Sequence, residues 1–334
     1  MLNTIPQKLL TAHSVILSTH RHCDGDGLGA QIALFHALKG LGKDVRILNV
    51  DKPGDKYAYL GCDRLVEVFD PSRHFPSLAA DVAIVLDTND HRLLEPLFSR
   101  LKEVCGEVLY IDHHPILLHG PAPTHGSLID TTAASTGEIV FRLLKAMEVP
   151  MSAAIARALY TSVVFDTQLF RFVKSDPRSH LMAAELLKFE KNPEDVHRQL
   201  FATYTTEKLQ FVAKTLTKVE YFGDGLLALI HVDGAEMKRL GLDLDESADI
   251  VDLVMNIETV EAAALIREDG PTACKLSLRS KGTLQVLALA ENHGGGGHVF
   301  AAGAYINKNY LFIRDQIISD LEIALAKLAR SRLA

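Results

Sequence analysis

Three apolar runs constrain the fold of this chain more than any other feature: SVILST, DVAIVL and EVLYI each pass directly into acids and histidines. The first opens onto HRHCDGDG (His20–Gly27), the second onto DTND (Asp87–Asp90) and the third onto DHHP (Asp112–Pro115). A strand that is apolar on both faces belongs in a sheet covered on both sides, typically a parallel one. Around and after these runs lie the helical patterns GLGAQIALFHALKGLG, EPLFSRLKEV and ASTGEIVFRLLKAM, with DVRILNV as a further strand. Strand–helix alternation of this kind predicts a parallel α/β sheet. Such sheets gather ligands at the carboxyl ends of their strands, which is where the acids stand.

With 334 residues, 48% of them hydrophobic, the chain has room for two domains of about 100–200 residues each. The expected layout is a parallel-sheet α/β domain over residues 1–190, a helical connector over 191–218 and a smaller α/β domain over 219–334. The stretch from Met151 to Thr217 reads as helical, and NPEDVHRQL carries a helix start, with Asn192 as N-cap and Pro193 at the first position. From Val219 the texture changes. KVEYFGDGLLALIHV reads as a hairpin around Gly223–Gly225, and VEAAALIRED and TACKLSLRS as strands. LDESADIVDLVMNI and YLFIRDQIISDLEIALAKLARSRL read as helices.

Charge and cysteine usage narrow the function. The net charge is −7, from 35 basic and 42 acidic residues with no basic run. Long duplex nucleic acid is gripped by a broad basic face, so any nucleic-acid substrate is expected to be short. The four cysteines (Cys23, Cys62, Cys105, Cys274) are scattered without a C-x-x-C pair, which argues against a zinc knuckle or a disulfide framework. No run reaches the ~18 apolar residues of a membrane helix. The N-terminal MLNTIPQKLLTAH has one lysine and no long apolar core, so no signal peptide is expected. The expectation is a cytoplasmic protein with no membrane partner.

The chemistry lies in the acids. His20, Asp24 and Asp26, spaced H-x-x-x-D-x-D, are expected in a glycine-rich loop that folds back so that all three converge. Alone they fit an Asp–Gly turn with a helix cap equally well, and Asp87 alone reads as a cap. Asp112, His113 and His114 end a buried strand; adjacent histidines diverge, so one can ligate a metal while the other faces substrate. Asp166, in SVVFDTQLF, is costly near an apolar run unless solvated, paired or on a metal. Together these are four acid-bearing ends in one domain. Converging carboxylates repel unless cations compensate. Two cations about 3.5–4 Å apart can clamp the attacking and leaving oxygens of a phosphoryl transfer. A second feature is ENHGGGGHVFAAG, in which Gly294–Gly297 offer free backbone N–H groups to an anion. His298 and VFAAG read as the start of a small-residue helix, a place that attracts phosphate. Upstream, Lys275 and Arg279 share one strand face, and Arg279 is a candidate for a bidentate phosphate contact.

In order and spacing, His20–Asp26, Asp87, Asp112–His114 and Asp166 resemble the DHH phosphoesterases, and GGGGH with AAG resembles their associated C-terminal domain. The resemblance spans nearly the whole chain and is strongest to the nano-RNase and 3′-phosphoadenosine 5′-phosphate (pAp) phosphatase branch. It implies two Mn²⁺ (or Mg²⁺) ions. His20, Asp24 and Asp87 would surround one, and Asp26, Asp87, His113 and Asp166 the other, with Asp87 bridging. Asp112 would orient a histidine, and His114 would donate a hydrogen bond or a proton at the scissile phosphate. Ser135 and Thr136 would line the site. Arg279, Gly294, Gly295, Gly296, Gly297 and His298 would hold the terminal nucleotide and its 5′ phosphate.

The resemblance also implies a homodimer, and substrates among short RNA, linear dinucleotides (pApA, pGpG) and pAp, in an order the sequence does not fix. A cyclic dinucleotide phosphodiesterase is the nearest rival. A nucleotide-binding sensor that lost turnover and a pyrophosphatase or polyphosphatase relative are the others. Two departures stand out. Cys23, with an extra His22 beside it, stands where the family often has proline. Asn292–His293 replaces a more usual apolar or aromatic residue, which makes His293 a candidate to stack on a base.

Overall fold

The first sheet consists of six parallel strands, β1 (Ser14–Thr19), β2 (Asp44–Asn49), β3 (Val66–Val68), β4 (Ala80–Leu86), β5 (Cys105–Asp112) and β6 (Leu128–Ile129), in the spatial order β3-β2-β1-β4-β5-β6. The structure is a computed structural model that describes residues 4–72, 78–116, 119–122, 126–242 and 244–331. It divides into two units, Met1–Thr203 and Tyr204–Ala334.

The helices of the first unit are α1 (Ile5–Thr11), α2 (Gly25–Gly40), α3 (Cys62–Leu65), α4 (Leu97–Val104), α5 (Thr136–Ala146), α6 (Ala153–Asp166), α7 (Arg178–Leu186) and α8 (Pro193–Phe201). Strand residues alternate between two cores. Val15, Leu17, Val82, Ile84 and Leu86 enter the larger one, with α2, α5 and α6, while Ile16 and Ala83 enter a smaller one with α4. Both sheet faces are therefore covered, as the apolar strands require. Helix α2 is buried along most of its length and closes on α6 at Gly29, where a Cβ would run into the carbonyl oxygen of Ala158. The strand order reverses between β1 and β4, so their carboxyl ends open the crevice where such folds bind ligands. Edge strands β3 and β6 are three and two residues long, too short to show a pattern in the sequence.

The second unit holds α9 (Thr206–Leu216), β7 (Glu220–Phe222), β8 (Leu227–Asp233), α10 (Gly234–Arg239), α11 (Ala248–Val254), β9 (Ala262–Gly270), β10 (Ala273–Ser280), α12 (Leu287–Asn292), β11 (Gly296–His298), β12 (Ala301–Ile306) and α13 (Tyr310–Ser331). Its sheet runs β11-β12-β10-β9-β8-β7, antiparallel except for the β8–β9 pair. The hairpin expected at Gly223–Gly225 joins β7 to β8. Among the described residues no helix is long and apolar enough to cross a membrane.

The structure corrects two local expectations and bears out a third. VFAAG is not a helix start: Ala301–Ile306 is strand β12, and His298 ends strand β11. Ala302 and Ala304 alternate inward along β12, a period that a run of uniformly small residues does not display. Of the two acids expected in the loop, Asp24 is there, at its last position, and Asp26 is already helical. Asp24 is the N-cap of α2, accepting from the N–H groups of Asp26 (2.9 Å) and Gly27 (3.2 Å), and Asp26 lies in the first turn. The helix start expected at NPEDVHRQL is present, with Asn192 as N-cap and Pro193 following, although the side chain of Asn192 makes no cap bond. Its N–H donates instead to Glu190 at 2.7 Å.

Candidate metal centre

Four segments deliver the acidic cluster. His20 and Asp24 follow β1, Asp26 opens α2, Asp87 follows β4, Asp112–His114 end and follow β5, and Asp166 is the last residue of α6. Asp87 holds a left-handed backbone, φ 63°, which turns its side chain sharply at the strand end. Its N–H donates to Ile111 O at 3.0 Å, and its carboxylate accepts from the Thr136 hydroxyl at 2.9 Å. Asp26 reaches the N-terminus of α5, where it accepts from the N–H groups of Thr136 (2.7 Å) and Gly137 (3.0 Å) and from the Ser162 hydroxyl. Ser135 is the N-cap of α5, accepting from Glu138 N–H at 3.1 Å. Both helix starts thus aim their positive ends at carboxylates.

At the centre, His113 Nε2 stands 3.7 Å from Asp26 Oδ2, 3.6 Å from Asp87 Oδ1 and 3.6 Å from Asp166 Oδ2. These separations are too long for hydrogen bonds and suit ligand atoms around a shared cation. A second group, His20, Asp24 and Asp87, also brings its ligand atoms within 4.8 Å of one another, so Asp87 belongs to both. His20 Nε2 lies 3.6 Å from Asp87 Oδ2. Its Nδ1 is 2.8 Å from Arg21 O. A carbonyl only accepts, so Nδ1 carries a proton, and the neutral ring in this tautomer presents a bare Nε2, as a metal needs.

Asp112 falls in a further set with Asp87 and His114, whose ligand atoms lie within 4.8 Å of one another, but both of its oxygens are engaged by hydrogen-bonding groups. Its Oδ1 accepts from His114 N–H (3.1 Å) and meets His114 Nδ1 at 2.8 Å, while its Oδ2 accepts from Asn89 Nδ2 at 2.7 Å. The two histidine rings do not splay apart; they touch edge to face with centroids 4.4 Å apart.

The electrostatics are those of a cation site. With protein charges alone, burial and then Asp26, Asp24, Asp112 and Asp166 hold the Asp87 carboxyl well above the usual range. Burial and then Asp26 and Asp24 do the same to Asp166. Burial lifts Asp26 to about 6 against the hydrogen bond from Ser162. For His114, burial pulls the imidazole down, but the bond to Asp112 and its charge carry it above the ordinary value. Hard oxygen donors with two or three imidazoles suit Mn²⁺ or Mg²⁺. Near the site, Cys23 is buried, and burial followed by Asp51 and Asp24 pushes its thiol far up, so it stays a neutral thiol. His22 is mostly exposed, and its N–H donates to Asp51 at 2.8 Å.

Asn89 and Ser162 escaped the sequence reading. Asn89 lies two residues beyond Asp87, and DTND hinted at it. Ser162 sits inside an apolar helix with no local cue.

In the second unit, Arg279 pairs across the sheet with Ala301, and Ala301 pairs with His298. Directly paired residues share a face, so Arg279 and His298 flank the small Ala301 side chain. Arg279 Nε lies 3.3 Å from Asp252. The glycines differ from the expectation of a free amide cradle. Gly294 and Gly295 donate their N–H groups to Glu291 O and Ala290 O, both at 2.9 Å, closing α12, and Gly296 and Gly297 belong to β11. The His293 side chain is 11% exposed, with Nε2 4.0 Å from Asp320 of α13, so its ring is not open to a base.

Comparison with known proteins agrees with this geometry. The model of the DHH family N-terminal domain matches residues 14–163, and that of the DHHA1 domain matches residues 229–328. A bifunctional oligoribonuclease and PAP phosphatase NrnA from Thermus thermophilus is 32% identical over 305 residues, 87% of this chain and 83% of its own. Among solved structures, an exopolyphosphatase-related protein from Bacteroides fragilis shares the fold, with a TM-score of 0.84 at 24% identity over 97% of this chain and 94% of that one. RecJ from Thermus thermophilus, solved in complex with Mn²⁺, aligns with a TM-score of 0.52 at 13% identity, covering 98% of this chain and 54% of that one. The chain belongs to the DHH family and carries a DHHA1 domain in its C-terminal unit.

Proposed function

We propose that this protein is a two-metal phosphoesterase that hydrolyses short RNA, linear dinucleotides such as pApA and pGpG, and pAp, releasing nucleoside monophosphates. The observation that carries the reading is the sharing of Asp87 between two ligand groups, with His113 Nε2 equidistant from three carboxylates. The 32% identity to the Thermus enzyme supports the substrate class. Asp26, Asp87, His113 and Asp166 would hold one ion and His20, Asp24 and Asp87 the other, with Mn²⁺ the preferred metal. Bound there, the ions would supply an acidified water and charge compensation for the phosphate.

The protein's own groups do the rest. Thr136, Gly137 and Ser162 fix the Asp26 carboxylate, and the Thr136 hydroxyl fixes Asp87. Asp112 orients His114 and raises its hold on a proton, which places Nε2 to donate to the leaving oxygen. Arg279 and His298, on one face of the second sheet, bind the terminal nucleotide and its phosphate, and the Gly294–Gly297 stretch shapes the edge beside them. We include in this reading a homodimer working in the cytoplasm.

The test is a panel of pAp, pApA, pGpG, cyclic dinucleotides and short RNA, each with Mn²⁺ and with Mg²⁺. Mononucleotide release from pApA and phosphate release from pAp are expected, both lost in the double variant Asp112→Ala, His113→Ala. Turnover confined to cyclic dinucleotides, or none with any member, would overturn the reading.

A further inference from the structure

Directly after Asp166 the backbone turns left-handed. Gln168, Leu169 and Phe170 have φ of 47°, 61° and 65°, and Lys174 and Ser175 follow at 49° and 56°. L-residues avoid this region, and such strain persists only where the surroundings over-determine it. Here they do. The N–H groups of Leu169 and Phe172 donate to Val164 O and Thr167 O, both at 2.9 Å, and the Phe170 ring stacks on His180 with centroids 5.0 Å apart. The far end is tied to the segment before α5: Lys174 Nζ donates to Thr131 O and Arg178 to Thr132 O, each at 2.9 Å.

Four cations lie on or against this strap: two are matched by carboxylates, and Arg171 lies over the Phe172 ring at 5.2 Å. Arg142 pairs with Asp130, while Arg178 pairs with Asp176 at 2.9 Å and with Glu138 at 3.3 Å. Lys174 is left over. Among the described residues its ammonium bonds a carbonyl and forms no ion pair. Its charge still acts on Asp166 and Asp26, two of the carboxylates around His113. An ammonium carries three donors and the Thr131 carbonyl takes one, so a cation close enough to act on these acids still has donors to offer an anion. A phosphate seated on the cluster turns its outer oxygens toward such a cation.

We propose that Lys174 binds a non-bridging oxygen of the scissile phosphate, and that the left-handed segment after Asp166 holds it in place to do so. The proposal rests on the phosphoesterase reading above. Neither the DHH motif nor the helix pattern singles this residue out; only the backbone and the unmatched charge do.

The variants Lys174→Met and Lys174→Arg of the full chain test it. With Mn²⁺, kcat/KM for pApA is expected to fall about 30-fold in K174M, and K174R to recover most of it, as for a charge-assisted contact. The loss must be the same for ApA, which lacks the 5′ phosphate but shares the scissile one. A loss confined to pApA would assign the lysine to the wrong phosphate and overturn the proposal. A turnover-free arm separates this from a failure of the enzymatic reading: calorimetric Kd for AMP on the Mn²⁺-loaded protein should weaken about tenfold in K174M, whether or not pApA is a substrate. Mn²⁺ affinity should hold or rise, since a positive charge near its ligands is removed, and Tm should hold. AMP affinity within twofold of the parent, or Mn²⁺ binding weakened as much as AMP binding, would sink the proposal.

Discussion

The imidazole Nδ1 of His114 lies 2.8 Å from Asp112 Oδ1, and Asn89 holds the other oxygen of that carboxylate at 2.7 Å. An ionised carboxylate only accepts, so Nδ1 carries a proton and Nε2 is the atom offered to substrate. His114 is held above the ordinary imidazole range by this bond and charge, against the pull of burial. As a proton donor it works while charged, so this group sets an alkaline limb on which activity declines as pH rises through the elevated value, while protonation of the raised carboxylates sets the acid limb. Asp112→Asn keeps the shape and removes the charge. It should cut kcat about 100-fold and move the alkaline decline to lower pH, which a pH profile of kcat measures. His114→Gln should remove that limb altogether.

Metal binding should stabilise the protein more at neutral than at acidic pH. Asp26 is raised from 3.8 to about 6. An acid whose folded value exceeds its unfolded one destabilises the fold as pH climbs from the unfolded value through the folded one, here by roughly 3 kcal/mol. A cation reverses this, because it binds the ionised form and releases protons. Thermal melts in EDTA and in Mn²⁺ between pH 5 and 7 should show a Tm gain that grows with pH. A gain independent of pH would mean that these carboxylates do not titrate with the ion.

Gly29→Ala places a methyl group against the Ala158 carbonyl and must push α2 from α6, which carries Ser162 and Asp166. We expect a loss of about 2–3 kcal/mol and a larger drop in activity than in folded fraction. Gly40→Ala, at the end of the same helix with open space around it, should instead gain about 0.5–1 kcal/mol. Denaturant melts of the pair give the contrast.

Arg279→Ala should raise KM for pApA about tenfold or more and leave Mn²⁺ binding untouched, since Arg279 stands in the second sheet beside Asp252. A titration of both ligands on the variant would check it. Weakened Mn²⁺ binding would place the arginine elsewhere in the mechanism.

The first unit was legible because its strands are apolar on both faces and end in acids; a doubly covered parallel sheet follows from that pattern alone. Asp87, Asp112 and His113 could be found because strand ends are where such sheets expose polar groups. Ser162 could not, since a serine on a buried helix face looks like any other small residue until α5 is docked against it. The helix read into VFAAG failed for a related reason: alanine and glycine carry too little contrast to reveal a period, and pairing with β10 and β11 decided the outcome. The helix start at Asp24 was legible as one of two readings, because Asp before Gly-Asp-Gly is a capping signal, and the structure joins both: Asp24 caps α2 and its neighbours still converge.

Asp87 combines a backbone angle that side chains resist with a carboxylate buried among its own kind. Asparagine or glycine would sit there more comfortably. A mutant library screened for heat resistance in chelator would therefore drift toward those residues at position 87. The survivors would be sturdier and inert, because the same position that weakens the empty fold is the one both ligand groups share.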